Sequence, residues 1–370
     1  MQVGIDARLV YYHQAGISRY CLQLMRALAD INTEDQFIIF QSRRDTRELV
    51  SQSNFRIRRL WTPSHHPLEQ ALLSLELRLT PMQVLHSPDF IPPFRRTCRS
   101  IITIHDLGFL LYPQSLTKSS ARYYGQIDQA VRRTDHIIAV SESTRRDIVR
   151  MLGVPEHMIT VIYEAPRRFF HPLPDVDLRP RLRERFKLEG DYILFVGTIE
   201  PRKNIPGLLN AFQQLLDHYH PDVDLVLAGA PGWLTDEVYA LVGRLGLTGR
   251  VHFLGRVSDE ELVWLYNAAR MLVLPSFYEG FGLPPLEAMA CGTPVIVANV
   301  SSLPEVVGDA GLLVEPTDTD ELTVAMWRLL SDELLRKELI AKGARRAASF
   351  SWERAARETL ELYRRVAGSA

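Results

Sequence analysis

The sequence predicts an α/β protein of two domains, each a largely parallel sheet covered by helices. Short apolar runs alternate with helical stretches along most of the 370 residues, which is the pattern of strand, crossover helix, strand. That length also suffices for two separate cores. Near the middle, Pro172, Pro174 and Pro180, with Asp175 and Asp177, form a polar, proline-punctuated crossing from one domain to the next.

In the first half, residues 3–8 read as a short apolar strand, and Gly16 opens a helix that runs to about residue 31. Ile17, Cys21, Leu24, Leu28 and Ile31 lie on one face of that helix. Loop 9–15 joins the two, and a glycine at the helix mouth lets a ligand approach the backbone closely. A plain packing glycine is the competing reading. Strands follow at 36–41, 55–61, 84–87, 100–104, 136–140 and 158–163, with helices near 67–77, 116–133 and 143–152. Ser141 caps the last of these. Ligands of such sheets sit beyond the carboxyl ends of the strands. His105-Asp106 falls at such an end, after Ile101-Ile-Thr-Ile104. That position favours a site residue over a hydrogen-bonded structural histidine.

In the second half, 181–186 reads as a short helix and 192–196 as a strand that stops at Gly197. Thr198-Ile-Glu-Pro-Arg-Lys-Asn204 leads into a helix over 205–219. Arg-Lys is ordinarily a solvated basic pair. At a helix entrance behind a strand and a glycine, Arg202 and Lys203 make an anion trap. Strands follow at 223–227 and 250–254. Between them Ala228-Gly-Ala-Pro-Gly232 is either a nucleotide-facing loop or a turn. It is not G-x-G-x-x-G, which counts against a dinucleotide dehydrogenase. Ser258-Asp-Glu-Glu261 is a capping box.

The most informative stretch is Ser276-Phe-Tyr-Glu-Gly-Phe-Gly-Leu-Pro-Pro-Leu-Glu-Ala-Met-Ala-Cys-Gly-Thr-Pro294. It follows an apolar strand at 271–275 and contains a helix that starts at Pro284 or Pro285 and stops at Gly292 and Pro294. Unpaired amides and the positive end of a helix dipole gather there, which suits a phosphate. Glu279 and Glu287 bracket the junction with seven residues between them. A carboxylate only accepts hydrogen bonds, so it suits sugar hydroxyls, which donate. Strands at 295–298 and 311–314 and helices near 321–330, 333–349 and 352–366 complete the chain, with Trp352 as anchor of the last.

Composition narrows the class. Hydrophobic content of 46% and charged content of 24% are those of an ordinary globular protein. No apolar run approaches the roughly 20 residues that cross a bilayer, and the N-terminus reads as a strand start rather than a signal peptide. Cys21, Cys98 and Cys291 have neither metal-ligand nor disulfide spacing, which suggests buried thiols in a reducing, cytoplasmic compartment. Net charge is −1, yet residues 1–172 hold 22 Lys+Arg against 16 Asp+Glu, a difference of +6. That balance raises peripheral contact with the inner face of an anionic membrane. Arg132-Arg133, Arg145-Arg146 and Arg167-Arg168 raise nucleic acid as well, but no recognised binding motif accompanies them.

Glu279-Gly-Phe-Gly-Leu-Pro-Pro-Leu-Glu-Ala-Met-Ala-Cys-Gly-Thr-Pro-Val295 resembles the signature of the retaining glycosyltransferases of family GT4, which have the GT-B fold. Phe195-Val-Gly-Thr-Ile-Glu-Pro-Arg-Lys-Asn204 matches the family's other strong motif. Gly16-Ile-Ser-Arg-Tyr20, His105-Asp106 and Val140-Ser-Glu-Ser143 fall in the family's order. Glu164-Ala-Pro departs from it, standing where the family has Asn-Gly-Val/Ile-Asp.

The resemblance implies two Rossmann-like, doubly wound domains facing each other across a cleft. Residues 1–172 would take the acceptor, 173–350 the nucleotide-sugar donor, and 351–370 would pack back on the first domain. It also implies that Gly16 lies over the donor phosphates. Arg202 and Lys203 would neutralise the leaving diphosphate, with backbone amides near Gly282 and Leu283. Val257, in Gly255-Arg-Val257, would lie at the nucleobase. Glu279 would hold the donor sugar and Glu287 the ribose, while His105 would contact a sugar hydroxyl or polarise the acceptor. A same-face, oxocarbenium-like substitution is implied, although nothing in the residues excludes a double displacement.

No Asp-x-Asp flanks the donor motifs, so no metal and no cofactor is expected beyond the GDP- or UDP-linked sugar itself. Gly4-Ile-Asp-Ala-Arg8 and Gly16-Ile-Ser-Arg-Tyr20 resemble mannosyltransferase-like members. That favours GDP-mannose and a lipid-linked or polysaccharide acceptor. A phosphorylase or epimerase on the same fold, or a non-catalytic nucleotide-sugar binding protein, are the alternatives.

Overall fold

A computed structural model of the chain describes all residues except 13–15, 114–117, 175, 233–234 and 369–370, and except the side chains of Lys118 and Ser119. The chain divides into two compact units, Met1–Glu164 with Ser351–Ala370, and Ala165–Phe350. Composition points to a crossing at Pro172, whereas the first unit ends at Glu164. Residues 165–172 belong to the second unit, where the Arg167 side chain meets Asp259 and Glu287 and the Asn267 side chain donates to the His171 carbonyl and accepts from the Leu173 amide.

The first unit holds seven strands, β1 (Gln2–Asp6), β2 (Gln36–Ser42), β3 (Phe55–Leu60), β4 (Val84–Ser87), β5 (Arg99–Ile104), β6 (His136–Ala139) and β7 (Ile159–Val161). Their order is β3-β2-β1-β4-β5-β6-β7 and every pairing is parallel. Central strands are buried on both faces, so they read as unbroken apolar runs. Arg8, expected in the first strand, lies beyond it. Its buried guanidinium is held by Asp6 and Glu69 at 2.7 and 2.6 Å. Leu9–Tyr12, expected as loop, forms a helical turn, and 13–15 lie outside the described residues. The helix expected over 116–133 is instead two, Lys118–Tyr124 and Ile127–Arg133. They break at Gly125, a poor helix former. Residues 116 and 117 lie outside the described residues.

The C-terminal helix Trp352–Gly368 is strongly amphipathic and packs on Gly16–Ile31 within this unit. Trp352, Ala355, Ala356, Leu360, Leu362, Tyr363 and Val366 are buried, and Trp352 meets Tyr20 edge to face at 5.8 Å. Tyr363 Oη lies 2.6 Å from His86 Nδ1, and His86 Nε2 lies 2.8 Å from Thr103 Oγ1. Tyr20 Oη reaches the same threonine at 3.2 Å. One buried hydrogen-bonded chain thus links the terminal helix, β4, β5 and the first long helix.

The second unit repeats the plan with β8 (Tyr192–Val196), β9 (Asp224–Ala228), β10 (Val251–Gly255), β11 (Met271–Leu274), β12 (Val295–Ala298) and β13 (Leu312–Val314). Their order is β10-β9-β8-β11-β12-β13, all parallel. This doubly wound order reverses direction between β8 and β11, where such sheets bind ligands. The helix Ile205–Tyr219 matches its expected bounds, and the capping box forms, with Glu261 N bonded to Ser258 Oγ and Ser258 N to Glu261 Oε2. Helices Thr235–Arg244 and Leu303–Val307 lacked a clear sequence signal. The glycine loop after β9 has a packing explanation. A Cβ on Gly229 would lie 1.9 Å from the Gly197 carbonyl oxygen, because the chain ends of neighbouring strands touch there.

Burial pushes the His86 pKa down to about 3, aided by the nearby charge of His105. The unfolded chain therefore binds a proton below about pH 6.5 that the folded chain refuses, so His86 withdraws stability as pH falls from there toward 3. NMR titration should show a neutral His86 ring throughout that window. Tyr363→Phe, which leaves Nδ1 without its partner, should cost about 1–3 kcal/mol in urea unfolding.

Candidate functional site

The site assembles at the carboxyl ends of β8 and β11. After β8 the chain passes Gly197 and enters a single 3-10 turn, Pro201–Lys203. Asn204, in the left-handed region at φ 53°, then turns it into the helix Ile205–Tyr219. Asn204 is locked by donating from Nδ2 to the Pro316 carbonyl at 2.6 Å. After β11 comes Pro275-Ser-Phe-Tyr-Glu279, and the Phe277 amide donates to the Arg202 carbonyl at 2.8 Å. Two loops distant in sequence are thereby laced side by side.

Glu279 is the centre. Its Oε1 accepts from Lys203 Nζ at 2.6 Å and from Ser276 Oγ at 2.7 Å, and Oε2 lies 3.2 Å from Arg202 Nη1. Arg202 also reaches Glu200 through Nε at 2.7 Å and the Tyr278 carbonyl through Nη1 at 3.1 Å. Burial pushes the Glu279 pKa up, but Lys203 and then Arg202 outweigh it and hold the carboxyl below its usual range. Burial lowers the Lys203 pKa more than Glu279 restores it. The contact is a buried ion pair, with Arg202 at its more exposed edge.

Gly282 starts the following helix, Leu283–Ala290, at φ 106°, and a Cβ there would lie 2.9 Å from Leu303. The positive φ is what favours glycine here. The helix begins at Leu283, a residue before the prolines. Its first amides, like those of any helix, lack carbonyl partners within it. Glu287 is in the second turn and buried, too far along to act as a plain complement to the dipole. Its Oε2 accepts from Tyr266 Oη at 3.1 Å, and Oε1 lies 3.4 Å from Arg167 Nη2. Arg167 also pairs with Asp259 and stacks over Phe169 and Phe170. It is buried, so it is no part of a solvated basic patch.

The structure thus brings Arg202, Lys203 and Glu279 into direct contact, with Gly282, Leu283 and Glu287 on the helix that follows. Val257 is half-buried on the loop after β10. Sequence reasoning gave no role to Ser276, Ser301, Ser302 or Tyr266. Ser301 Oγ accepts from the Glu279 amide at 3.0 Å, and Ser302 Oγ donates to the Glu279 and Phe281 carbonyls at 3.0 and 2.7 Å. Only the fold shows Ser301 and Ser302 holding this loop.

Gly16 and His105 belong to the first unit. A Cβ on Gly16 would meet no described atom within 4 Å, so packing does not demand glycine there. His105 stands beyond β5 with Nδ1 3.0 Å from Glu164 Oε1 and Nε2 3.0 Å from the Pro88 carbonyl. Both partners only accept, so both ring nitrogens must donate and the ring is an imidazolium. Burial lowers its pKa, yet Glu164 dominates and the net shift is upward. The expectation of a ring nitrogen offered to a sugar hydroxyl does not match this arrangement, in which both are engaged by the protein. Glu164, the departure noted at Glu164-Ala-Pro, is the reason.

The chain's relatives agree with this architecture. Residues 15–165 match the family described as Glycosyltransferase Family 4, and residues 180–346 match Glycosyl transferases group 1. The chain belongs to this glycosyltransferase family and has its GT-B fold. It is 34% identical, over 98% of its own length and 100% of the relative's, to an O-antigen chain mannosyltransferase B of Escherichia coli. In structure it resembles a sucrose-phosphate synthase from Thermosynechococcus elongatus, with TM-score 0.80 and 24% identity over 100% of both chains. It also resembles Anabaena HepE in complex with UDP-glucose, with TM-score 0.76 and 19% identity over 98% of this chain and 99% of the other.

Glu279→Gln leaves a buried ammonium without its counter-charge and should cost about 3–5 kcal/mol in urea unfolding. Adding Lys203→Met should recover part of that loss, since no buried charge is then stranded. Because the folded Glu279 pKa is depressed, its stabilisation is full above the ordinary carboxylate pKa and disappears as pH falls through the folded value. The His105–Glu164 pair has the opposite sign. Its contribution is full below the ordinary histidine pKa and is lost as pH rises through the elevated folded value. Glu164→Gln should move the His105 titration seen by NMR to lower pH.

Proposed function

We propose that this chain transfers a hexosyl group, mannose from GDP-mannose in the first place, to a lipid-linked or glycan acceptor, with retention of anomeric configuration. The observation that carries the reading is the Arg202–Glu279–Lys203 cluster at the reversal point of the second sheet. Mannose is favoured by the mannosyltransferase name of the full-length relative, and the retaining outcome by resemblance of the Glu279…Glu287 unit.

In this reading the donor's diphosphate binds Arg202, Lys203 and the first amides of the helix at Gly282 and Leu283. The two cations take the role that a divalent ion would otherwise fill. Charge that builds on the leaving phosphate meets donors already in place, so no reorganisation is required at the moment of reaction. Glu279 accepts from the donor sugar's hydroxyls and stabilises positive charge near the anomeric carbon. Glu287 accepts from the ribose, fixed in aim by Tyr266 and Arg167. Val257 lies against the nucleobase. In the first unit, the open backbone at Gly16 meets a donor phosphate, and His105 contributes as a fixed cation rather than as a proton-transferring base.

A thermal-shift panel of GDP, UDP, ADP and their sugars tests the donor site. One diphosphate should raise the melting temperature, and Arg202→Ala and Lys203→Ala should each abolish the rise. Turnover in those variants should fall about 10²–10³-fold, and EDTA should leave the wild-type rate unchanged. If none of these nucleotides stabilises the protein, the donor assignment is wrong.

A further inference from the structure

The first sheet has a reversal point of its own. From β1 the chain builds outward to β2 and β3, then crosses to β4 on the other side of β1 and builds outward to β7. Doubly wound sheets take ligands beyond the carboxyl ends of the two strands that part in this way. Here those ends are Asp6 of β1 and Ser87 of β4. Asp6, Arg8, Glu69, Ser87, Asp89 and Tyr123 line an opening of about 10 Å³ there, room for one water-sized group.

Two polar atoms of this lining, Ser87 Oγ and Asp89 Oδ1, are buried and have no hydrogen-bond partner among the described residues. Ser87 is only 2% exposed. The other oxygen of Asp89 is taken twice. Oδ2 lies 2.6 Å from His65 Nε2 and accepts from Tyr123 Oη at 3.1 Å, and the His65 and Tyr123 rings stack at 3.8 Å. Two packed rings thus hold one oxygen of the carboxylate and leave the other unused. A buried oxygen without a partner destabilises a fold, and two of them lining one opening call for a ligand.

Charge and hydrogen-bonding capacity decide what that ligand is. Arg8 is the one cation among the described lining residues, and its guanidinium is taken up by Asp6, Glu69 and the Thr62 carbonyl. A phosphate would meet the carboxyl groups of Asp6, Glu69 and Asp89 with no cation left to receive it. Among the described residues, no group of three or more His, Cys, Asp or Glu could hold a metal ion. An ammonium would satisfy Asp89 but leave the Ser87 proton without an acceptor. A hydroxyl matches both atoms, because it donates to a carboxylate and accepts from a serine.

We propose that Ser87 and Asp89 receive one hydroxyl of the acceptor, and that the acceptor presents a neutral glycosyl residue to the first unit rather than a phosphorylated group. Ser87 Oγ donates to the hydroxyl oxygen, and Asp89 Oδ1 accepts from the hydroxyl. The hydroxyl alone enters, since the opening holds a single water-sized group, and the sugar ring stays outside it. This assignment rests on the sugar-transfer reading and narrows the acceptor within it.

The test is an NMR titration of the full chain that follows the His65 ring. The probes are the methyl glycosides of mannose, glucose, galactose, rhamnose and N-acetylglucosamine, against mannose 6-phosphate and glucose 6-phosphate. At least one neutral glycoside should shift the His65 signal, and the sugar phosphates should bind at least ~10-fold more weakly. Ser87→Ala should weaken the glycoside about 5-fold, and Asp89→Asn about 10-fold or more. Ser87→Ala should not lower the melting temperature, since it removes a buried hydroxyl that has no partner. The proposal is overturned if no neutral glycoside binds, if the sugar phosphates bind as well or better, or if both variants bind like wild type. It is also overturned if Ser87→Ala lowers the melting temperature and leaves glycoside binding unchanged, which would give the opening to a structural water. The diphosphate-induced thermal shift, measured on the same samples, keeps two failures apart. A nucleotide response without glycoside binding sinks the acceptor assignment alone, whereas no response to any nucleotide sinks the donor reading.

Discussion

The contact on which the second unit's site depends is Lys203 Nζ to Glu279 Oε1, 2.6 Å long and removed from solvent. It joins residues 76 positions apart because the crossovers leave β8 and β11 adjacent in the sheet. A buried ion pair is a weak source of stability, since the desolvation of both charges offsets their attraction. Its retention here is better understood through what it presents. Glu279 holds Lys203 and Arg202 side by side, with Arg202 at the more exposed edge of the pair. Serines 276, 301 and 302 fix the carboxylate and its loop, so the cations stand in a defined arrangement.

The first unit handles its buried histidines in two opposite ways. His86, on β4, is buried among groups that a neutral ring satisfies and is driven far below its ordinary pKa. His105, just beyond β5, faces two acceptors and is driven upward. The two are connected, because the positive charge on His105 is one cause of the neutrality of His86. The neutral member ties the terminal helix to the sheet through Tyr363. The charged member stands at a strand end, where ligands of such sheets bind. One strand-to-strand step thus separates a neutral histidine from a charged one held by Glu164 and the Pro88 carbonyl.

Much of this was legible in the chain. Buried parallel strands have to be continuous apolar runs, and Tyr192–Val196 and Val295–Ala298 occur where expected to the residue. Caps are local, so Ser141 and Ser258 were readable from three or four neighbours. The strand–glycine–helix junctions at Gly197 and Gly282 identified Arg202, Lys203, Glu279 and Glu287 as candidates. Less was legible where the deciding partner is remote. Arg167 resembled a surface cation until Glu287, 120 residues away, proved to be its neighbour. Glu164 looked like a gap in a familiar pattern, and His105, 59 residues earlier, gives it a partner.

By itself the sequence determined the positions of the strands, most of the longer helices, and the chemical types gathered at two loop–helix junctions. Those depend on interactions within a few residues, which local spacing records. The tertiary structure alone decided which charges meet, which are buried and in what protonation state. Such outcomes depend on strand order and on the removal of water from particular atoms. The same separation accounts for the helix Glu69–Leu77, where only packing shows that Leu73 and Leu77 are buried while Leu72 and Leu75 are exposed.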